Sequence, residues 1–301
     1  MIERYLKMLG TEGTKELLKA NEKPLTPCIR INTIKTDIHT LLSRLEKKGL
    51  QFEQIAQIPY GFKVLKSKYS IGSTHEFLQG YYYTQNEASM IPALILSPKS
   101  SELIVDMCAA PGSKATQIAQ EMNNQGSLVL IDRNAKRIPK LEYNLRRLSV
   151  KNHILINLDA KNLNKLNIEA DGILLDAPCT GEGLIREDPK RKKNKKLFDI
   201  EKLASIQKKL LEAGLGSLKP GGRLVYSTCS IAPEENEFVI NDVLKENDNY
   251  SILKINLNYG VNGYNNVFNR NLRKDLINSV RLYRYVDDTI GFFVCLIQKI
   301  Y

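Results

Sequence analysis

Apolar and polar positions follow two rhythms along the chain, and the change between them falls near residue 100. Ahead of it the apolar runs are short. Residues 2–20 have helical spacing and end at the breaker stretch Asn21–Pro27. CIRINTI alternates at Ile29, Ile31 and Thr33 as a strand does, and IHTLLSRLEKKG reads as a helix ending at Gly49. QFEQI and FKVLK read as strands about a Pro59–Gly61 turn, and a helix over 86–97 is closed by Pro98. From about 102 the pattern becomes strand, turn, helix, and repeats. ELIVDM, SLVLID, HILINLD, GILLDAP and RLVYSTCS predict five apolar strands, and IGFFVCLIQK predicts a last one. Helices are predicted at ATQIAQEM, AKRIPKLEYNLRRL, about 199–217 and PEENEFVINDVLKEN. Strands that are apolar throughout and alternate with helices imply an α/β fold, a doubly wound and mostly parallel sheet covered on both faces. The expected organisation is a small N-terminal α/β module over 1–75, a linker to about 98, and a larger domain over 99–301.

Composition excludes several classes. The chain has 301 residues, 43% apolar and 26% charged, which is ordinary for a folded protein and unlike a disordered, collagenous or coiled-coil chain. No apolar run approaches the ~18 residues that span a bilayer. The start, MIERYLKMLG, lacks the apolar core of a secretory signal, so a cytoplasmic protein is expected. Charge adds a partner class. The net charge is +11, and it is concentrated: residues 1–75 hold 13 basic and 7 acidic side chains, and 186–196 (REDPKRKKNKK) hold 7 and 2. A basic excess confined to two places reads as a footprint for a polyanion. The five cysteines, Cys28, Cys108, Cys179, Cys229 and Cys295, form no CxxC pair, and His39, His75 and His153 lie in no triad or ligand spacing. Neither a disulfide framework nor a metal is expected.

The ends of the predicted strands carry the candidate chemistry. In a doubly wound sheet, ligands bind beyond the C-terminal strand ends. The loop Cys108–Ala109–Ala110–Pro111–Gly112–Ser113–Lys114 lies there, with Gly112 for a tight turn and a helix N-terminus to meet an anion. Asp132 ends the second strand twenty residues after Gly112, placed to accept hydrogen bonds from ribose hydroxyls, and Asp159 ends the third. A single glycine in CAAPGSK leaves little room for a pyrophosphate, so a nucleoside with a small carboxylate tail fits better than a dinucleotide. That description points to S-adenosyl-L-methionine.

Cys179 follows the fourth strand in LLDAPCTGEG, and Cys229 follows the fifth in VYSTCS. If those strands are neighbours, two thiols and the carboxyl of Asp176 share one rim. Carbon 5 of cytosine is a poor nucleophile. A thiolate added to carbon 6 makes the ring an enamine whose carbon 5 can attack an activated methyl group. A protonated Asp176 could relieve the charge on ring nitrogen 3, and a second thiol could assist release. These arguments do not say which cysteine is the nucleophile. Cys28 and Cys295 read as small buried filler.

DMCAAPGSKATQIA, DAPCTGEG, KPGGRLVYSTCSIAPEENE and GFFVCLIQK resemble the RNA cytosine-5 methyltransferases of the Nop/Sun-domain family, and among them the archaeal tRNA enzymes. The similarity runs from about residue 24 to the end. It implies a Rossmann-like class I methyltransferase domain and an N-terminal RNA-recognition-like module, whose first strand TPCIRINTIKTD resembles. It implies Cys229 as nucleophile, Cys179 as the thiol aiding product release, and Asp176 in contact with the base. Cys108–Lys114, Asp132, Arg137 and Asp159 would bind S-adenosyl-L-methionine, with Lys114 facing the cofactor's carboxylate or the target base. The basic residues of 1–75 would contact phosphates, and Lys190–Lys196 would either clamp RNA or form a solvated loop. Tyr81–Tyr83 would stack on bases or pack. The chain departs from the family pattern at Tyr283–Tyr285, where many members carry Pro-His, and no PUA-like domain is evident, so grip on RNA is expected from the module and the Lys-rich run.

The resulting expectation is a monomeric enzyme that methylates carbon 5 of cytosine in RNA, with tRNA as the expected substrate and rRNA as the alternative. A non-catalytic RNA-binding or ribosome-assembly factor keeping the fold is a second reading. A methyltransferase for a protein or small-molecule acceptor is a third, disfavoured because the amine-methylating signature is replaced by Asp176–Ala177–Pro178–Cys179.

Overall fold

The computed structural model describes residues 1–188 and 196–301. Most of the Lys190–Lys196 run therefore lies outside the described residues. The chain divides into two compact units, residues 26–160 and residues 1–25 with 161–301.

The unit of 26–160 holds two sheets. β1 (Cys28–Ile31), β2 (Gln51–Gln54), β3 (Gly61–Lys66) and β4 (Tyr82–Thr84) form an antiparallel sheet in the order β2-β3-β1-β4. The helix Ile38–Glu46 starts where Asp37 accepts the Thr40 N–H at 2.8 Å, an N-cap that satisfies one of its orphan donors. β4 was not expected. Its three residues are hidden in an aromatic cluster with no alternation to read. Tyr82 is buried there, with its hydroxyl on Ile71 O and Thr74 Oγ1, so it packs and does not stack on bases. The second sheet pairs β5 (Leu103–Asp106), β6 (Ser127–Asp132) and β7 (His153–Asn157) in parallel, connected by the helices Ser113–Glu121 and Ile138–Arg147. Arg30 on β1 is fully buried and donates to Thr116 Oγ1 at 2.7 Å and Gln120 Oε1 at 3.2 Å. Burial pushes its pKa down to about 10. It is one basic residue of the module that cannot reach a phosphate.

The unit of 1–25 and 161–301 is built on β8 (Ala170–Asp176) and β9 (Leu218–Thr228), a parallel pair whose register matches Asp176 with Ser227. β10 (Tyr250–Leu253), β11 (Val261–Asn262), β12 (Asn266–Val267), β13 (Arg270–Asn271), β14 (Val280–Leu282) and β15 (Phe292–Lys299) follow. β15 runs antiparallel to β9, β14 and β10 pair antiparallel with β15, and β12–β13 is a hairpin. The core strands are apolar where they cross the sheet, and Tyr226 meets Phe293 edge-on at 6.3 Å. The N-terminal helix Ile2–Glu22 carries Gly10 at φ +69 inside it.

The chain is thus mixed α/β, with parallel strands β5–β7 and β8–β9 connected through helices and a distinct antiparallel N-terminal sheet. Three local expectations are corrected. The helix expected from Pro233 is a 3₁₀ turn, Pro233–Glu235, and then a helix, Glu237–Leu244. Asn236 breaks it because its side chain accepts from Thr228 Oγ1 at 2.6 Å and donates to Ser230 O at 3.0 Å. Asp159 lies two residues past the end of β7 instead of closing it. The strand expected from Arg223 begins earlier, at Leu218, and takes in the KPGG stretch that follows the helix Leu197–Gly216. Among the described residues no helix is long and apolar enough to cross a membrane.

Candidate active site

The cofactor candidates gather in the unit of 26–160. β5 ends at Asp106, which is buried and whose Oδ1 accepts the Cys108 N–H at 3.2 Å. The loop then crosses to β6, where Ala109 N donates to Ile131 O at 2.9 Å and Ala110 N to Asp132 Oδ2 at 3.1 Å. Asn144 holds Pro111 O at 2.9 Å. Gly112 has φ +106, and a Cβ there would meet Leu141 Cδ1 at 2.9 Å, so the turn needs glycine for both its backbone and its space. It is the N-cap of Ser113–Glu121, and no side chain caps that helix, so the first-turn N–H groups remain for an anion. Lys114 stands in this first turn and is almost fully buried.

Asp132 ends β6 as expected, but it is only 2% exposed. Its oxygens accept from Ala110 N and from Asn134 N at 2.9 Å, and Arg137 Nη1 lies 3.3 Å away. Arg137 also donates to Ala110 O. Asp132, Arg137 and Ala110 therefore form one ring that fixes the loop. A carboxylate has about four lone-pair positions, so one remains for a ribose hydroxyl. An uncapped helix end, an acid at a strand end and a buried lysine together suit a nucleoside with a carboxylate tail.

The thiols gather in the other unit. β8 and β9 are neighbours, and Cys179 Sγ and Cys229 Sγ are 3.1 Å apart, both half-buried. Asp176, at the end of β8, accepts from Ser227 Oγ at 2.8 Å. The contact with Cys229, and then burial, raise the Cys179 thiol well above its ordinary value near 9. The loop after Cys179 is held by residues that the sequence reading did not single out. Glu235, fully buried, accepts from Thr180 N at 2.8 Å, Thr180 Oγ1 at 2.6 Å and Gln207 Nε2 at 3.2 Å. Gln207 also donates to Pro178 O at 2.9 Å. Burial raises the Glu235 carboxyl above its ordinary value, and hydrogen bonds from Ser230, Thr180 and Gln207 offset this only in part. Gly183 N donates to Cys229 O at 2.9 Å, so the two cysteine loops are tied through the backbone as well. Glu235 and Gly183 stand in quoted motifs, PEENE and DAPCTGEG, and could have been suspected; Gln207 has no signal in its helix.

Elsewhere, Cys28 and Cys295 are buried. Tyr283, at the departure from the family pattern, is buried and accepts from Arg281 Nε at 2.8 Å, while Arg281 pairs with Glu237. No group of three or more metal-ligating side chains occurs among the described residues.

Comparison with known proteins gives two family matches. Residues 93–298 match "16S rRNA methyltransferase RsmB/F", and residues 1–87 match the N-terminal domain of 16S rRNA methyltransferase RsmF. A 28S rRNA (cytosine-C(5))-methyltransferase of Mus musculus is 36% identical over 99% of this chain and 38% of its own length. The Ribosomal RNA small subunit methyltransferase F of Shewanella loihica is 41% identical over 74% of this chain and 48% of its own length. The chain thus spans half or less of these relatives. Among solved structures, a methyltransferase homolog protein from Pyrococcus horikoshii is 42% identical, covers 99% of this chain and 93% of its own, and has a TM-score of 0.90. NSun6 from the same organism, crystallised with SFG, is 27% identical with a TM-score of 0.87, covering 100% of this chain and 97% of its own. The chain belongs to the RsmB/F family of RNA cytosine-C5 methyltransferases, whose methyl donor is S-adenosyl-L-methionine.

Proposed function

We propose that this chain methylates carbon 5 of cytosine in RNA through a covalent adduct on Cys229. The observation that carries the reading is the 3.1 Å approach of two thiols beside Asp176 at the ends of parallel neighbours. Cys229 Sγ adds to carbon 6 of the ring, opening the 5,6 double bond. Asp176, oriented by Ser227 and acting as the protonated acid, donates a hydrogen bond to ring nitrogen 3 and stabilises the negative charge that collects there. When bound, S-adenosyl-L-methionine supplies an electrophilic methyl carbon to carbon 5. Cys108–Ser113, Asp132 and Asp159 hold it, with Arg137 keeping Asp132 in place. Lys114 adds positive charge beside the loop, toward the cofactor's carboxylate or the base. The carbon 5 proton then passes to solvent water, the 5,6 double bond re-forms, and the electron pair of the Cys229–carbon 6 bond returns to sulfur. Cys179, kept protonated by its neighbour and by burial, gives its proton to that departing thiolate 3.1 Å away.

The RNA is gripped by the module of 1–75 with its linker to about 98, and the two family matches meet within that linker, between 87 and 93. The resemblance first pointed to tRNA, but the relatives carry ribosomal names, and these favour rRNA as the substrate. Bisulfite sequencing of RNA from cells with and without the gene tests both points. A cytosine that loses its protection on deletion identifies the RNA. Unchanged protection at every cytosine, in ribosomal and transfer RNA alike, would leave the protein an RNA-binding factor.

A further inference from the structure

The unit of 1–25 and 161–301 holds a second cavity, of about 590 Å³, whose lining includes Arg4, Lys7, Met8, Glu234, Phe268 and Asn269 but neither cysteine. We propose that it binds one unpaired nucleotide of the substrate RNA, with the base against Phe268 and a backbone phosphate at Lys7. The proposal rests on the RNA-methylation reading and names where the strand beside the target is held.

The hairpin β12–β13 carries the first argument. Its two-residue turn is Phe268–Asn269, with φ of +53 and +59. Such turns need positive φ at both positions and favour Asn-Gly. A phenylalanine there carries backbone strain, and strain of this kind persists where the side chain has a use. The use is not core packing, because Phe268 is only half-buried and lines the cavity. Its ring is held at 81° to Phe238 with centroids 6.5 Å apart, and the Arg4 guanidinium lies 5.9 Å from its centroid. A fixed aromatic ring is what a base needs as a platform.

Charge supplies the second argument. Arg4 is already matched by Glu234 at 2.6 Å and Glu182 at 3.4 Å. Lys7 is exposed and has no ion-pair partner among the described residues. Of the charged side chains that line the cavity, Arg4 and Lys7 stand against Glu234 alone, and this surplus of one positive charge matches one phosphodiester. The position is apt as well: Glu182 lies three residues after Cys179 and Glu234 five after Cys229, so Arg4 links the cavity wall to both cysteine loops.

The test is a fluorescence-anisotropy titration of the full chain with a labelled single-stranded RNA at several salt concentrations. Phe268→Ala should weaken binding about tenfold, the size of one base–aromatic stack, and leave the salt dependence unchanged. Lys7→Gln should lower the slope of log K against log salt by about 0.7, one phosphate contact on a single strand. Both variants binding within twofold of wild type and with its slope would overturn the proposal. If Phe268→Ala does not fold, Lys7→Gln decides alone, since that side chain is exposed. A wild-type chain that binds no RNA would instead sink the functional reading.

Discussion

In the proposed mechanism Cys179 and Cys229 divide the labour by protonation. The contact with Cys229, and then burial, raise the Cys179 thiol well above its ordinary value, which suits a proton donor beside a nucleophile at Cys229. Iodoacetamide should therefore label Cys179 slowly at pH 8, and faster only as the pH climbs well past 9, read by peptide mass spectrometry. Rapid labelling of Cys179 at pH 7 would contradict this. Glu235 holds the loop that carries Cys179 by accepting from Thr180 N, Thr180 Oγ1 and Gln207 Nε2. Glu235→Ala should free that loop and make a covalent RNA–protein adduct accumulate, as loss of the releasing thiol would. Glu235→Gln keeps an oxygen for Thr180 N and should turn over within about fivefold of wild type, a loss of ~1 kcal/mol. An alanine variant that folds and turns over normally would remove Glu235 from this role.

At the scale of elements, the site depends on a close approach of chain segments. Gly183 N reaches Cys229 O, and Gly291 N reaches Gly183 O, so the loop after β8 is sewn between the end of β9 and the start of β15. A Cβ at Gly183 would press on Gly291 O and sit 2.8 Å from Cys229 O. Gly183→Ala should cost about 2 kcal/mol or more through overpacking, seen as a lower denaturant midpoint, with RNA methylation falling further than stability. An unchanged midpoint would mean that the loops are not held this way. The elements that present the chemistry were legible because β5, β6, β8 and β9 lie in apolar runs that alternate with helices, and Asp106, Asp132 and Asp176 stand at the ends of the first three. Less was legible where pairing is set by distant partners. The run Phe292–Lys299 is as apolar as a parallel strand, and only its register with β9 reveals that it is antiparallel. β4 and β10–β14 have two to four residues each, too few for a period. Asn236 looks like a helix residue until Thr228 and Ser230 claim its side chain.

At the scale of the whole molecule, net charge overstates the number of side chains open to a polyanion. Arg30 is inside the module bonding Thr116 and Gln120, and Arg4 is spent on Glu182 and Glu234, so neither is a free phosphate contact. The salt dependence of RNA binding should accordingly be shallower than the total of +11 suggests. The two units carry separate halves of the chemistry: a loop suited to the methyl donor in 26–160, and a thiol pair in 1–25 with 161–301. The most direct test of the whole account follows both thiols through one reaction. RNA identified as substrate is incubated with S-adenosyl-L-methionine and each single variant, and covalent adducts are located by mass spectrometry. The account predicts no methylation and no adduct with Cys229→Ala, and an RNA adduct on the Cys229 peptide that accumulates with Cys179→Ala. Normal methylation by Cys229→Ala, or an adduct on Cys179, would contradict it.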